Sequence, residues 1–349
     1  DKQNNLTRRS FLKWTAGGLL GAGALTAGIR PWEKSAKGVT VSQRRPAMGT
    51  FVEITARGQK EEKVNDFIDK AYDRIAKVDE TMSVFKGGSR VYRLNEPGRK
   101  KTSLTPEMAE VLLEGQKISR KTGGSFDVTA APLLDLWGFY DNKLNVPTDK
   151  ELESTLELVD YRDLSVDAER GSASLADPRA AIDLGGIAKG YGVDQAVEVL
   201  KDGGLSAGLV NAGGDIRGFG SPEAGRDWKV GLQHPLQEND LLSALKLYLP
   251  AITTSGNYES FFTYQGRKLA HIIDPTTGRP VENVLSVSVL TDRAVRADGL
   301  STGAFSQKPE KAIETVEKLD DTEIIYIYRS GSGRINVEVS GGLEDRVEV

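Results

Sequence analysis

The segment Ala181-Ile-Asp-Leu-Gly-Gly-Ile-Ala-Lys-Gly-Tyr-Gly192 constrains this chain more than any other. It reads as a buried strand ending in the Asp183 carboxylate, a glycine turn that bares backbone, and a helix opened by Lys189. Such a junction belongs to folds that mix helix and sheet. It also places unpaired N–H groups and a helix dipole where a phosphate could bind. The spacing fits neither the Walker loop nor the dinucleotide Gly-x-Gly-x-x-Gly pattern. Taken alone, it describes a phosphate cradle and a tight strand–helix turn with a surface lysine equally well.

Export is written into the first 37 residues. Thr7-Arg8-Arg9-Ser10-Phe11-Leu12-Lys13 is a twin-arginine signature, followed by a weakly apolar Gly/Ala-rich run over residues 14–29. A charged region, an apolar region and small residues at Ala22, Ala24 and Ala27 describe an export signal. The run is too short and too glycine-rich for a stable span, which takes about 20 apolar residues. The expected division is therefore a signal and spacer over residues 1–37 and one functional domain over 38–349. The expected location is the periplasm or another exported compartment, reached by the twin-arginine route, with an uncleaved signal as a membrane anchor the alternative.

The charge balance then excludes several classes of function. The whole chain carries 46 basic and 50 acidic residues; without the seven basic and two acidic ones of the signal, 39 stand against 48. An acidic body argues against non-specific nucleic-acid binding. There is no cysteine, so disulfides, thiolate zinc sites and cysteine nucleophiles are excluded. With two histidines, His234 and His271, no multi-histidine metal site can form. A bound metal would be held mainly by oxygen, which points to magnesium or calcium.

Periodicity predicts an α+β body. Glu61–Met82 carries an amphipathic stripe of Val64, Phe67, Ile68, Ala71, Ile75, Val78 and Met82. Thr105-Pro106 opens a second helix that Gly123-Gly124 stops, and Thr148 with Glu151 forms a capping box for a third. A helix over residues 188–201 follows the opening motif. Strands are expected at 50–56, 228–233, 245–249, 260–265, 285–290 and 323–328, and helices at 298–305 and 309–319. This pattern gives mixed, mostly antiparallel sheets with packed helices, in one compact body or two intimately packed lobes.

Asp298 and Thr302 stand four apart, which puts both oxygens on one helix face. With a backbone carbonyl they would make half of a magnesium shell. The competing reading is an N-capping aspartate with a threonine that bonds back to a carbonyl. His271, three residues before Asp274 in His271-Ile-Ile-Asp-Pro275, could be a general base or a turn residue. Gly124-Ser125-Phe126-Asp127-Val128 and Arg45-Pro-Ala-Met48-Gly49-Thr50 are junctions able to supply an apolar wall to a planar ring.

In this order, these segments resemble the ApbE family, the FAD:protein FMN transferases. The resemblance rests on Met48-Gly-Thr50, Ser83-Val-Phe85 with Ser89-Arg90, Gly124-Ser-Phe-Asp-Val128, Asp183-Leu-Gly-Gly-Ile-Ala-Lys-Gly190, Asn211-Ala-Gly-Gly-Asp215, Thr254-Ser-Gly256, His271-Ile-Ile-Asp-Pro275 and Asp298-x-x-x-Thr302. It spans about residues 40–320, and the joint occurrence in sequence order is specific.

The resemblance implies an ApbE-like, T-fold-related body and a magnesium-dependent reaction. FMN is transferred from FAD to a threonine or serine hydroxyl of an acceptor flavoprotein, and AMP is released. It implies Mg2+ held by Asp298, Thr302 and the carbonyl of Gly186. FAD would be contacted by Met48, Phe85, Ser125, Phe126, Asp127, Asp183, Lys189 and Ile272. Catalytic roles fall to Lys189 as a charge on the phosphates, His271 as the base for the acceptor hydroxyl, and Asp274 as its orienting partner. Implied partners are subunits of membrane redox complexes or exported flavoproteins, with no role for nucleic acid. Two alternatives share the motifs: a FAD pyrophosphatase giving FMN and AMP, and a non-catalytic periplasmic flavin-binding protein.

Overall fold

The computed structural model describes residues 38–344 apart from 99–100, 142, 224–225, 238–239, 258–260 and 265–266. The twin-arginine segment lies outside the described residues. Eight strands form the main sheet: β1 Val39–Ala47, β2 Thr50–Gly58, β3 Ala207–Ala212, β4 Asp215–Phe219, β5 Ala251–Gly256, β6 Val284–Thr291, β7 Glu323–Arg329 and β8 Ile335–Val339. Their spatial order is their chain order, and every neighbouring pair is antiparallel. Between β2 and β3 lie helices α1 (Glu61–Met82), α2 (Pro106–Thr122) and α3 (Ala188–Asp202); α4 (Ala294–Phe305) and α5 (Pro309–Glu317) lie between β6 and β7. The α+β class follows from this segregation of helices into two insertions of an antiparallel meander.

Local chemistry accounts for the helix ends. The Thr105 hydroxyl accepts from the Met108 N–H to start α2, and Gly123 ends it with φ of 65°. The Thr148/Glu151 capping box starts the helix Asp149–Leu156. The β1–β2 hairpin closes on Met48 and Gly49, with φ of 50° and 73°, both left-handed as a two-residue turn demands. A methionine there is uncommon. Its sulfur lies 2.8 Å from where a Cβ on Gly192 would stand, so that missing Cβ makes room for Met48 against α3.

The sheet separates two apolar layers. On the helix side, Val52, Ile54 and Ala56 of β2 and Val210 of β3 pack on Val64, Ile68 and Ile75 of α1 and on Val193, Val197 and Leu200 of α3. Further along that face, Val287 and Val289 of β6 and Tyr326 of β7 meet α2, α4 and the N-terminus of α3. The opposite face, with Leu209, Ile216, Ile252, Leu290, Ile325 and Ile327, is covered by Trp228, Val230, Leu232 and Leu245 of the hairpin Lys229–Gln233/Leu241–Lys246. Polar groups reach the helix side at the middle of the sheet, where alternation points Asp215 and Arg217 of β4 and Thr253 and Ser255 of β5 the same way.

Two sequence expectations change. Residues 181–184 belong to no strand. The Asn95 amide clamps both backbone groups of Ile182, and the Asp183 N–H donates to the Val128 carbonyl. Helix α4 begins at Ala294 rather than at Asp298, so Asp298 sits one turn inside it and is no N-cap.

Helices α3 and α4 touch at Gly190. A Cβ there would stand 2.3 Å from the Ala294 carbonyl oxygen and 2.8 Å from Asp298 Cβ. Gly190→Ala is therefore expected to push the helices apart and cost about 1–3 kcal/mol, read as a lower urea midpoint at unchanged slope.

Candidate active site

The polar groups at the centre of the sheet, α3 and α4 converge on Asp298. Its side chain is 4% exposed. One carboxylate oxygen accepts the Gly190 N–H at 2.9 Å, and the other lies 3.9 Å from Lys189 Nζ. The same ammonium is 3.1 Å from Asp215 Oδ2, whose side chain is 3% exposed. Burial pushes the Asp298 carboxyl above the usual carboxylate range, against the pull of Lys189, the Gly190 N–H and Asp215.

This arrangement revises the opening motif. The Ala188 N–H donates to the Leu184 carbonyl and the Gly190 N–H to Asp298. Those two amides of the α3 N-terminus are thus used within the chain. The anion at the helix end is a side chain of the protein, one turn along a neighbouring helix, and the dipole favours its charge.

Thr302 lies on the same face of α4. Its hydroxyl is 3.3 Å from Ser255 Oγ, and a Cβ added to Gly186 would stand 3.1 Å from Thr302 Oγ1. Ser301 links the strand to the helix: its hydroxyl is 2.9 Å from Ser255 Oγ, accepts from Thr253 Oγ1 at 3.3 Å, and donates to the Asp298 carbonyl at 3.0 Å. The expected metal-holding residues Gly186, Asp298 and Thr302 are therefore brought together by two segments, the turn before α3 and helix α4. Two buried carboxyls stand beside a single ammonium, and every donor gathered here is an oxygen. That set suits a hard divalent cation such as magnesium. Among the described residues no group of three His, Cys, Asp or Glu side chains could hold a metal, so such an ion would need hydroxyl, carbonyl or substrate oxygens.

At the mouth, Phe85 is 66% exposed and meets Tyr140 edge to face, ring centres 5.7 Å apart. The Tyr140 hydroxyl donates to Asp183 Oδ2 at 2.9 Å, while Asp183 Oδ1 accepts the Gly185 N–H at 2.6 Å. Burial raises the Asp183 carboxyl above its ordinary range, the two hydrogen bonds opposing it. Phe126 is buried; its ring lies 3.3 Å from the Cβ position of Gly186 and so backs the glycine turn. Ser125 beside it is half-buried.

Other expected residues are placed differently. Asp127 is buried and holds its own loop: Oδ1 accepts from the Thr129 N–H and hydroxyl, and Oδ2 from the Tyr161 N–H. Ile272 is buried in the apolar layer around α2 and α4. The Asp274 oxygens accept from the Thr276 N–H and hydroxyl and the Thr277 hydroxyl, which closes the turn after His271. His271 is half-buried just after the strand Arg267–Ala270. Sequence reasoning gave Asp215 no role, although the Gly213-Gly214 pair marks its hairpin, and nothing in the sequence singles out Tyr140.

The ApbE family profile matches residues 48–326. The chain belongs to the ApbE family. The FAD:protein FMN transferase of Haemophilus influenzae is 33% identical over 265 residues, 73% of this chain and 76% of that protein. The Vibrio cholerae protein of the same name is 32% identical over 309 residues, 86% and 90% of the two. Among solved structures, the ApbE protein of Thermotoga maritima superposes with a TM-score of 0.80 at 28% identity, over 89% of this chain and all of that one. The flavin transferase ApbE of Vibrio cholerae gives 0.76 at 28% identity, over 88% and 99%. This chain has the ApbE α+β fold.

A carboxyl raised on folding contributes stability that is complete below the ordinary carboxylate value of about 3.9 and is lost as pH rises through its folded value. Asp183→Asn is therefore expected to narrow the gap in urea midpoint between about pH 4 and about pH 8. An unchanged gap would show that Asp183 carries no such burden.

Proposed function

We propose that this chain transfers FMN from FAD to a threonine or serine hydroxyl of an acceptor protein and releases AMP. The observation that carries the reading is the convergence of Asp298, Thr302, Gly186 and Lys189 on one polar seam in a chain of the ApbE family. The acceptor oxygen attacks the FMN phosphorus, the bond from that phosphorus to the bridging oxygen breaks, and AMP leaves with the electron pair. His271 takes the hydroxyl proton.

Asp298, Thr302 and the Gly186 carbonyl would hold Mg2+, which when bound neutralises charge on the pyrophosphate oxygens. Lys189, 27% exposed beside Asp298 and Asp215, reaches solvent with a point charge for the same phosphates. Gly186 brings backbone close to Thr302 because it has no Cβ. Phe85 and Tyr140 offer aromatic surface for a planar ring, and Met48 is held over α3 by the hairpin turn. The twin-arginine signature supports export to the periplasm, where exported flavoproteins or subunits of membrane redox complexes would be the acceptors.

The test is mass spectrometry of a threonine-containing acceptor domain after incubation with this protein, FAD and magnesium. A mass gain of one FMN on the acceptor supports the transferase; AMP and free FMN with the acceptor unmodified support a pyrophosphatase. Asp298→Ala is expected to lower magnesium-dependent AMP release by at least about a hundred-fold, several kcal/mol of charge stabilisation being lost. Full activity in that variant would overturn the metal assignment. In His271→Ala, transfer should fall by about 10²-fold or more while FAD hydrolysis persists; equal loss of both, or no loss, removes the base role.

A further inference from the structure

The elements that build the site meet a second time, one turn away. In the site, Lys189 and Gly190 of α3, Asp215 of β4 and Asp298 of α4 are in contact. Four residues on in α3 stands Asp194, two on in β4 stands Arg217, and four back in α4 stands Ala294. Four helical residues advance about 6 Å and two strand residues about 6.7 Å, so these three also meet. Asp194, 1% exposed, accepts the Ala294 N–H at 2.9 Å and the Val295 N–H at 3.1 Å, with Arg217 Nη1 3.1 Å and Arg293 Nε 3.4 Å from its oxygens.

Helix α4 has no cap of its own. Arg293 occupies the N-cap position and makes no side-chain capping bond. The orphan N–H groups of a buried helix start need an acceptor, and Asp194 supplies it from the neighbouring helix. Arg217 also pairs with Glu198 at 2.9 Å and Arg293 with Glu110 at 2.8 Å. The buried carboxylate is thus neutralised from β4 and from the residue preceding α4.

We infer that Asp194 is a positioning residue: by tying the start of α4 to α3 it sets where Asp298 stands against Gly190 and Lys189. The consequence for metal binding rests on the proposed role of Asp298; the positional claim does not. Local helix stability alone would be served as well by a serine at position 293. A cap from α3 additionally fixes the distance between the helices, and with it the Gly190 N–H to Asp298 bond.

The test uses the full purified chain and the isosteric Asp194→Asn, with Mn2+ as probe. Amide exchange at Ala294 and Val295 reads the cap, exchange at Gly190 reads the position of Asp298 without metal, and electron paramagnetic resonance reads Mn2+ binding. The expected result is faster exchange at all three amides, unchanged protection in β2, and Mn2+ bound about ten-fold more weakly. In Asp194→Asn/Arg293→Ser, a local cap should restore protection at the start of α4 but neither Gly190 protection nor Mn2+ affinity. Gly190 protection unchanged in Asp194→Asn, or fully restored by Arg293→Ser, overturns the inference. Should the unaltered chain take up no Mn2+ while Gly190 responds as expected, the metal assignment fails and the positioning role stands.

Discussion

The bond from the Gly190 N–H to the buried Asp298 carboxylate is the interaction on which the rest of the site depends. It forms because α3 has no side chain where α4 crosses it; a Cβ at that point would overlap the Ala294 carbonyl. The carboxylate therefore sits at the positive end of α3, and a charge costly to bury is compensated by a backbone donor, a dipole and the Lys189 ammonium. The same approach brings Thr302 to the Gly186 turn, since both lie along the seam that Gly190 closes.

The seam lies at the middle of an eight-stranded meander, where β4 and β5 turn acids and hydroxyls towards the helices and the flanking strands turn valine and isoleucine the same way. Apolar packing on both sides leaves the polar groups little room to relax. The chain of hydroxyls from Thr253 through Ser301 and Ser255 to Thr302 ties strand to helix, so Thr302 is aimed by hydrogen bonds as well as by helix geometry. Preorganised oxygens of this kind suit a hard cation.

Helices were the legible part of this fold. The α1 stripe, the Thr105 and Thr148 caps and the Gly123 stop are local signals, and the elements fall where those signals put them. The strands β1, β3, β4, β5 and β8 were not among those expected; β3 and β5, rich in Ala, Gly, Thr and Ser and mostly buried, show little alternation of apolar with polar residues. The start of α4 was likewise hidden: its first amides are capped by Asp194, a hundred residues earlier in the chain, so no local signal marks it.

By itself the sequence determined the α+β class, the exclusion of thiolate and multi-histidine metal sites by zero cysteines and two histidines, and the family, through short motifs in a specific order. It also put Asp298 and Thr302 on one face, because a spacing of four is a property of the helix alone. Tertiary structure alone decided that Asp215 joins Lys189 beside Asp298, that Asp127 reaches the Tyr161 N–H, and that Asp194 caps α4, whereas the Asp274 turn is local. Each of these depends on which carboxylate finds a donor first. A donor within three residues is written in the sequence, whereas one on another element exists only once the helices have packed on the sheet.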